Sequence, residues 1–302
     1  MTSLRLFDAY LIVDWSANST PKQGKDSIWW CHLAWVDDTL EIVEIQNPAT
    51  RQQAHAQLHD ILNIYAGTEK RLLVGFDFAY GYPTGFASAI MPAAEKPWCA
   101  IWEHLHTVIE DDDTNRNNRF AVAAQFNRQL SYGCAPFWGC PNNQERPCLS
   151  MRKPKHEHAE LFPEYRLAEQ NGTAHAVWKC CYPGSVGSQV LMGLPYLYQL
   201  ITDSQLSAVS RVWPFETGLR ALYEEDLQGM NIVHAEIYPS IVSVELGPDE
   251  VKDKEQVVAL ADTFANLDRQ GELSALFAGR PLLTDDEKMI VENEEGWILG
   301  VC

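Results

Sequence analysis

Four acidic side chains carry the first functional signal in this chain. Asp14 lies in VDWSA, Asp77 in FDFAYGYP, Glu236 in HAEIYPS and Asp253 in KDKEQV. Asp14 and Asp77 each end a short apolar run that reads as a strand, and Glu236 has a similar place on a third. If those strands are neighbours, the three carboxylates converge at one edge of a sheet. A divalent cation is the simplest relief of their mutual repulsion, because carboxylate oxygens are the ligands that hard cations take. Metal-assisted phosphoryl transfer needs such a cluster. Asp253 starts a helix and would project back toward the strand ends as a fourth ligand. Each residue also has an ordinary reading: a helix-start acid favoured by the macrodipole for Asp253, a turn residue or cap for Asp14 and Asp77, a partly exposed strand end for Glu236.

The elements that must position these acids follow from hydrophobic periodicity. Residues 9–14, 27–36 and 40–45 read as three strands of an antiparallel meander, with Asp37 and Asp38 as a turn. Residues 49–65 form a helix whose apolar stripe is Ala54, Leu58, Ile61, Leu62 and Tyr65. A fourth strand spans 71–77 and a fifth 231–237, followed by a helix over 253–267, a short helix over 272–277 and a closing hairpin within 287–301. The block between differs: helical stretches at 98–109, 116–130 and 190–200 are separated by loops rich in Pro, Gly and Cys. The expected architecture is α/β. A mixed five-stranded sheet (antiparallel meander plus parallel strands) flanked by helices is built from residues 1–77 and 231–302, and residues 78–230 form a large, mainly helical insertion packed on it.

Composition bounds the function. With 302 residues, 46% hydrophobic and 21% charged, the chain has enough apolar surface for one large domain or two modest ones. That excludes a disordered tail, a collagen-like repeat and a small disulfide scaffold. Lys and Arg number 23 against 41 Asp and Glu, a formal charge of −18, so tight binding to long duplex DNA is disfavoured. No run approaches the ~20 apolar residues that cross a bilayer, and the first residues lack a secretory pattern. The expectation is a cytoplasmic protein without a membrane partner, its eight cysteines reduced.

The order of these segments resembles a known family. A three-strand meander, a helix, a fourth strand, a later fifth strand and a closing helix, with acids at strand one, strand four and the last helix, look like the ribonuclease H-like fold. VDWSA, GFDFAYGYP, EIYPS and the KDKEQV helix start resemble more specifically a family of predicted nucleases, domain of unknown function 429. The resemblance covers the core, about half the chain. It implies Asp14, Asp77 and Asp253 as ligands of Mg²⁺ or Mn²⁺, with Glu236 as an additional acid. Gln256 stands where the family carries a second acid one turn into the helix, and a neutral amide binds Mg²⁺ more weakly.

Other constellations lie in the insertion. PGSVGSQVLMGLP places Gly184, Ser185, Gly187 and Ser188 before an apolar helix, a loop that presents backbone N–H groups to a phosphate or carboxylate, or simply turns and caps. Glu216 in WPFETG is a lone acid among aromatics, suited to a ligand contact or to a buried structural bond. Arg116 and Arg119 are spaced to share a helix face and grip an anion, or to be solvated beside Asp111, Asp112 and Asp113. Arg146, Arg152, Lys153 and Lys155 form a basic stretch, a second candidate contact for nucleic acid or a nucleotide. Trp29, Trp30, Trp35 and Trp138 suit base stacking but more commonly fill a core. Cys134, Cys140, Cys148, Cys180 and Cys181 with His156 and His158 have the composition of a zinc site without its spacing, so buried thiols are expected.

Two readings follow. The first is a divalent-metal-dependent nuclease or phosphate-transfer hydrolase of ribonuclease H-like type, acting through Asp14, Asp77, Asp253 and Glu236. The second is a catalytically inactive relative that binds a small anionic metabolite or a protein partner through the insertion, with Ser185, Gly187, Ser188, Glu216, Arg116 and Arg119 as its contacts.

Overall fold

β1 (Ala9–Asp14) is apolar until its last residue, and it lies at the centre of a mixed sheet. It pairs antiparallel with β2 (Trp29–Val36), which pairs antiparallel with β3 (Thr39–Gln46). On its other side β1 runs parallel to β4 (Leu72–Phe76). Beyond β4 lie β6 (Ile232–Glu236) and the edge strand β5 (Ser210–Val212), both parallel, giving the order β3-β2-β1-β4-β6-β5. These coordinates are a computed structural model that describes residues 5–131, 133–154, 161–170, 175–182 and 185–301. The sheet has six strands rather than the expected five. The extra strand, β5, comes from inside the 78–230 block and is three residues of SRV, too short to show a period.

Helices cover both faces, as the continuous apolar runs of β1, β4 and β6 require. On one face α1 (Arg51–Ala66), capped by Thr50, packs with α3 (Pro97–Val108), α4 (Arg119–Ser131) and α5 (Gly187–Thr202) over Leu11, Val13, Val74 and Phe76. The short α2 (Phe86–Ile90) joins the same core, so the 78–230 block is continuous with one side of the sheet. The opposite face carries α6 (Lys252–Gln270) and α7 (Leu273–Leu276) over Tyr10, Ile12, Leu73 and Val233. Among the described residues no helix is long and apolar enough to cross a membrane.

Two local expectations are corrected. The closing segment is not a hairpin: α8 (Asp285–Ile290) runs into a π-helical turn at Val291–Glu295. Its start is fixed by a capping box in which the Thr284 hydroxyl accepts from Glu287 N–H and the Glu287 carboxylate accepts from Thr284 N–H. In addition α4 begins at Arg119, so Arg116 precedes the helix and the two arginines share no helix face.

Candidate active site

Register determines where the acids go. Val13 pairs with Phe76, and Phe76 with Glu236, so Asp14 and Asp77 both sit one position beyond that rung. Side chains alternate along a strand. Val13 and Phe76 point into the α1 and α5 side, and Asp14 and Asp77 therefore leave the sheet on the phase of the α6 side, toward Asp253 at the start of α6. Glu236 shares the phase of Phe76 and points the other way.

Asp14 and Asp77 touch. Their carboxyl groups are close enough for a proton held by Asp14 to be shared with Asp77. Asp77 Oδ1 accepts from the Trp15 N–H at 2.7 Å, and its Oδ2 lies 3.5 Å from Gln189 Nε2. Burial pushes the Asp14 carboxyl well above the usual range, helped by the charges of Asp77, Asp253 and Asp26. Burial likewise pushes Asp77 up to about 7. Asp253 is close enough to act on both electrostatically, while its Oδ2 accepts from the Asp26 N–H at 2.7 Å. Asp26, a loop residue with no pattern around it, was not among the sequence candidates.

These acids line one end of a cleft of about 870 Å³. Its other wall is the start of α5. Gly187 is required there by a close approach, since a Cβ would lie 2.3 Å from the Val177 carbonyl oxygen. The Ser188 hydroxyl donates to the Cys180 carbonyl and accepts from Arg119 Nε, the latter at 2.9 Å. Gln189 Nε2 donates to the Trp15 carbonyl at 2.7 Å, and Trp15 Nε1 donates to the Met192 carbonyl at 3.1 Å. The residue after Asp14 is thus tied to the helix that carries Ser188. The cleft brings Asp14, Asp77 and Asp253 together with Ser185, Ser188 and Arg119, and Gly187 supports its wall from behind.

Three sequence candidates lie elsewhere. Glu236 is buried, with both oxygens on Arg166 and one also accepting from the Tyr80 N–H at 2.9 Å. Arg166 also binds Glu169 and the Glu295 carbonyl, a network that sequence reading missed because its members are far apart in the chain. Glu216 folds back on its own loop and accepts from the Val212 N–H at 2.9 Å. Arg116 is exposed, its N–H bound to Asp112. Of the basic stretch, Lys153 pairs with Glu164, and Lys155 lies outside the described residues. Trp30 and Trp35 are core residues.

The chemistry of the donor set fits a hard divalent cation: two carboxyl groups in contact, a third nearby, and proton affinities raised chiefly by burial. As arranged, however, no group of three or more His, Cys, Asp or Glu side chains converges on a metal position among the described residues. Asp253 is held aside by Asp26, and Gln256 donates to the Ser240 hydroxyl at 3.3 Å. Among the described residues the cysteines form no metal centre either. His156, His158 and Gly184 lie outside the described residues, and burial pushes the Cys180 thiol up to about 12, far from the thiolate that zinc or nucleophilic chemistry uses. No family model, curated protein or solved structure matches this chain.

Proposed function

We propose that the cleft is the active site of a divalent-metal-dependent phosphate-ester hydrolase of ribonuclease H-like type, with nucleic acid or a nucleotide as substrate. The observation that carries this reading is the contact between Asp14 and Asp77 at the ends of adjacent parallel strands, both with raised proton affinity. The meander β3-β2-β1 beside parallel β4 and β6 supports it. Asp14, Asp77 and Asp253 would hold Mg²⁺ or Mn²⁺, which when bound supplies Lewis acidity to a phosphoryl oxygen and lowers the pKa of a water. To serve as ligands, Asp14 would have to release its proton and the Asp253 carboxylate to turn from the Asp26 N–H. The Trp15 N–H holds Asp77 in place, and Gln189 braces the loop through the Trp15 carbonyl. Glu236 acts through structure, since Arg166 and Tyr80 occupy its oxygens. The charge of −18 favours a short or single-stranded substrate over long duplex DNA.

The test is Mn²⁺ titration calorimetry on EDTA-stripped protein and on Asp77→Asn, followed by hydrolysis assays with and without EDTA. Saturable binding lost in the variant, with hydrolysis that EDTA abolishes, is the expected result. Full hydrolysis in EDTA would sink the proposal. A second reading, a binding protein without hydrolysis, is favoured by the missing third converging ligand and by the amide at Gln256. It requires ligand-induced thermal stabilisation that Asp14→Asn leaves unchanged.

A further inference from the structure

Arg119 carries a charge that no carboxylate meets directly among the described residues. Its side chain lies against the cleft with the residue only 8% exposed. Nε donates to Ser188 Oγ at 2.9 Å, and Nη1 to Ser19 Oγ at 2.9 Å and Asn117 Oδ1 at 2.7 Å, all neutral acceptors. Among the described residues Nη2 has no hydrogen-bond partner and no carboxylate is within ion-pair distance. The nearby Arg51 is the contrast: Asp111 meets its Nε and Nη2, each at 2.6 Å. Burial and the Arg51 charge pull the Arg119 pKa down to about 10 against the opposing charge of Asp111, and the guanidinium lies 4.4 Å from the Phe120 ring centroid.

The rim of the same cleft holds an unusual tyrosine. Tyr182 has φ +72°, a region that a residue with a bulky side chain rarely occupies without compensation. Its hydroxyl donates to the Cys140 carbonyl at 3.2 Å, so the ring is fixed at its far end, yet the residue remains 49% exposed. A tethered aromatic ring open to a cleft is a stacking platform.

We propose that the cleft contains a nucleotide subsite in which Arg119, oriented by Ser188 at the start of α5, binds the phosphate and Tyr182 stacks on the base. With Nε and Nη1 committed, the two N–H of Nη2 remain to donate to phosphate oxygen, and the N-terminus of a 16-residue helix adds a favourable dipole. Ser188 and Gln189 are adjacent on that helix, one holding Arg119 and the other facing Asp77, so a phosphate on Arg119 shares the cleft with the carboxylate pair. A cleft of about 870 Å³ falls in the range of small-ligand pockets, about 300–1,000 Å³, and suits a mononucleotide rather than a duplex. The subsite rests on the hydrolase reading for its role in catalysis, but binding there needs no metal.

The experiment is calorimetric titration of adenosine monophosphate, adenosine and inorganic phosphate in EDTA, with thermal melting of every variant. Wild type binds adenosine monophosphate saturably and more tightly than adenosine or phosphate alone. Arg119→Lys and Tyr182→Leu each weaken it about tenfold, while Asp77→Asn binds at least as well because a repelling charge is gone. If Arg119→Lys fails to fold, the exposed Tyr182→Leu decides the matter. No saturable binding to wild type, or binding that neither variant weakens, overturns the subsite. Loss with Arg119→Lys but not with Tyr182→Leu overturns the nucleotide assignment in favour of a phosphate without a base. Nucleotide binding without Mn²⁺ binding would leave the subsite standing and the hydrolase reading refuted, and the converse would do the reverse.

Discussion

Glu236 and Arg166 are joined by two hydrogen bonds in the protein interior, Nη1 to Oε2 at 2.7 Å and Nη2 to Oε1 at 2.5 Å. The same guanidinium reaches Glu169 and the Glu295 carbonyl, so one side chain ties the end of β6 to the 161–170 segment and to the closing π-helical turn. Burial raises the carboxyls of Glu169 and Glu295 against the pull of Arg166, as expected where acids outnumber the cation.

Removing that cation strands the acids around it. Arg166→Met is expected to lower unfolding stability by about 3–5 kcal/mol at pH 7, since breaking a buried pair leaves uncompensated charge. Adding Glu236→Gln and Glu169→Gln to that variant recovers part of the loss. Urea unfolding of the three proteins measures both steps, and a single-variant loss below ~1 kcal/mol would contradict the role given to Arg166.

The raised pKa of Asp77 makes stability depend on pH. An ordinary aspartate titrates near pH 4, whereas burial pushes Asp77 up to about 7. Between these values the folded chain holds the proton more strongly than the unfolded chain, so stability falls as pH rises from about 4 to about 7, and the full cost persists above. Asp77→Asn removes the cost. Its melting temperature should match wild type near pH 4 and exceed it by about 3–6 °C at pH 8. Equal melting curves across that range would show that Asp77 ionises freely.

The strands and the acid pair were legible because both depend on local pattern. AYLIVD and RLLVGFD each display an apolar run ending in a carboxylate, which suffices to place Asp14 and Asp77 at strand ends. The fate of Glu236 was not legible. It depends on the rung it shares with Phe76 and on Arg166, 70 residues distant. Asp26 lies in a loop and enters the cluster through the position of α6 alone. The start of α8 was legible too, because TDDE carries the capping-box pattern that begins a helix. The starting point of α4 depended on Asn115, whose φ of +66° and side-chain bond to the Arg51 N–H keep the preceding segment out of the helix.

Gly187 tests whether the cleft wall is as tight as the structure has it. Alanine is intrinsically the better helix residue, by about 1 kcal/mol. Here its Cβ would meet two backbone carbonyl oxygens, Val177 at 2.3 Å and Lys179 at 2.8 Å, neither of which has a flexible side chain to move. Gly187→Ala should therefore destabilise by about 1–3 kcal/mol and displace the turn that carries Ser188. A higher melting temperature for the variant would mean that the close approach is absent.

Gln256 is the residue on which the two functional readings diverge. It lies on α6 three positions after Asp253, is nearly buried, and donates to Ser240, whose own side chain belongs to the cleft lining. A carboxylate at this position would stand one turn along α6 from Asp253, behind the Ser240 of the cleft lining. Without a cation it adds a like charge, and Gln256→Glu should lower the melting temperature at pH 8 in EDTA by about 2–4 °C. With a cation it adds a hard oxygen ligand, so the variant should bind Mn²⁺ about tenfold more tightly than wild type. Linkage then enlarges the stabilisation that saturating Mn²⁺ confers by RT times the logarithm of that ratio, about 1.4 kcal/mol. The two effects have opposite signs in one protein, which a merely structural role for Gln256 would not produce. Unchanged Mn²⁺ affinity together with a lower melting temperature in both conditions would place position 256 outside any metal site and leave the binding-protein reading the stronger one.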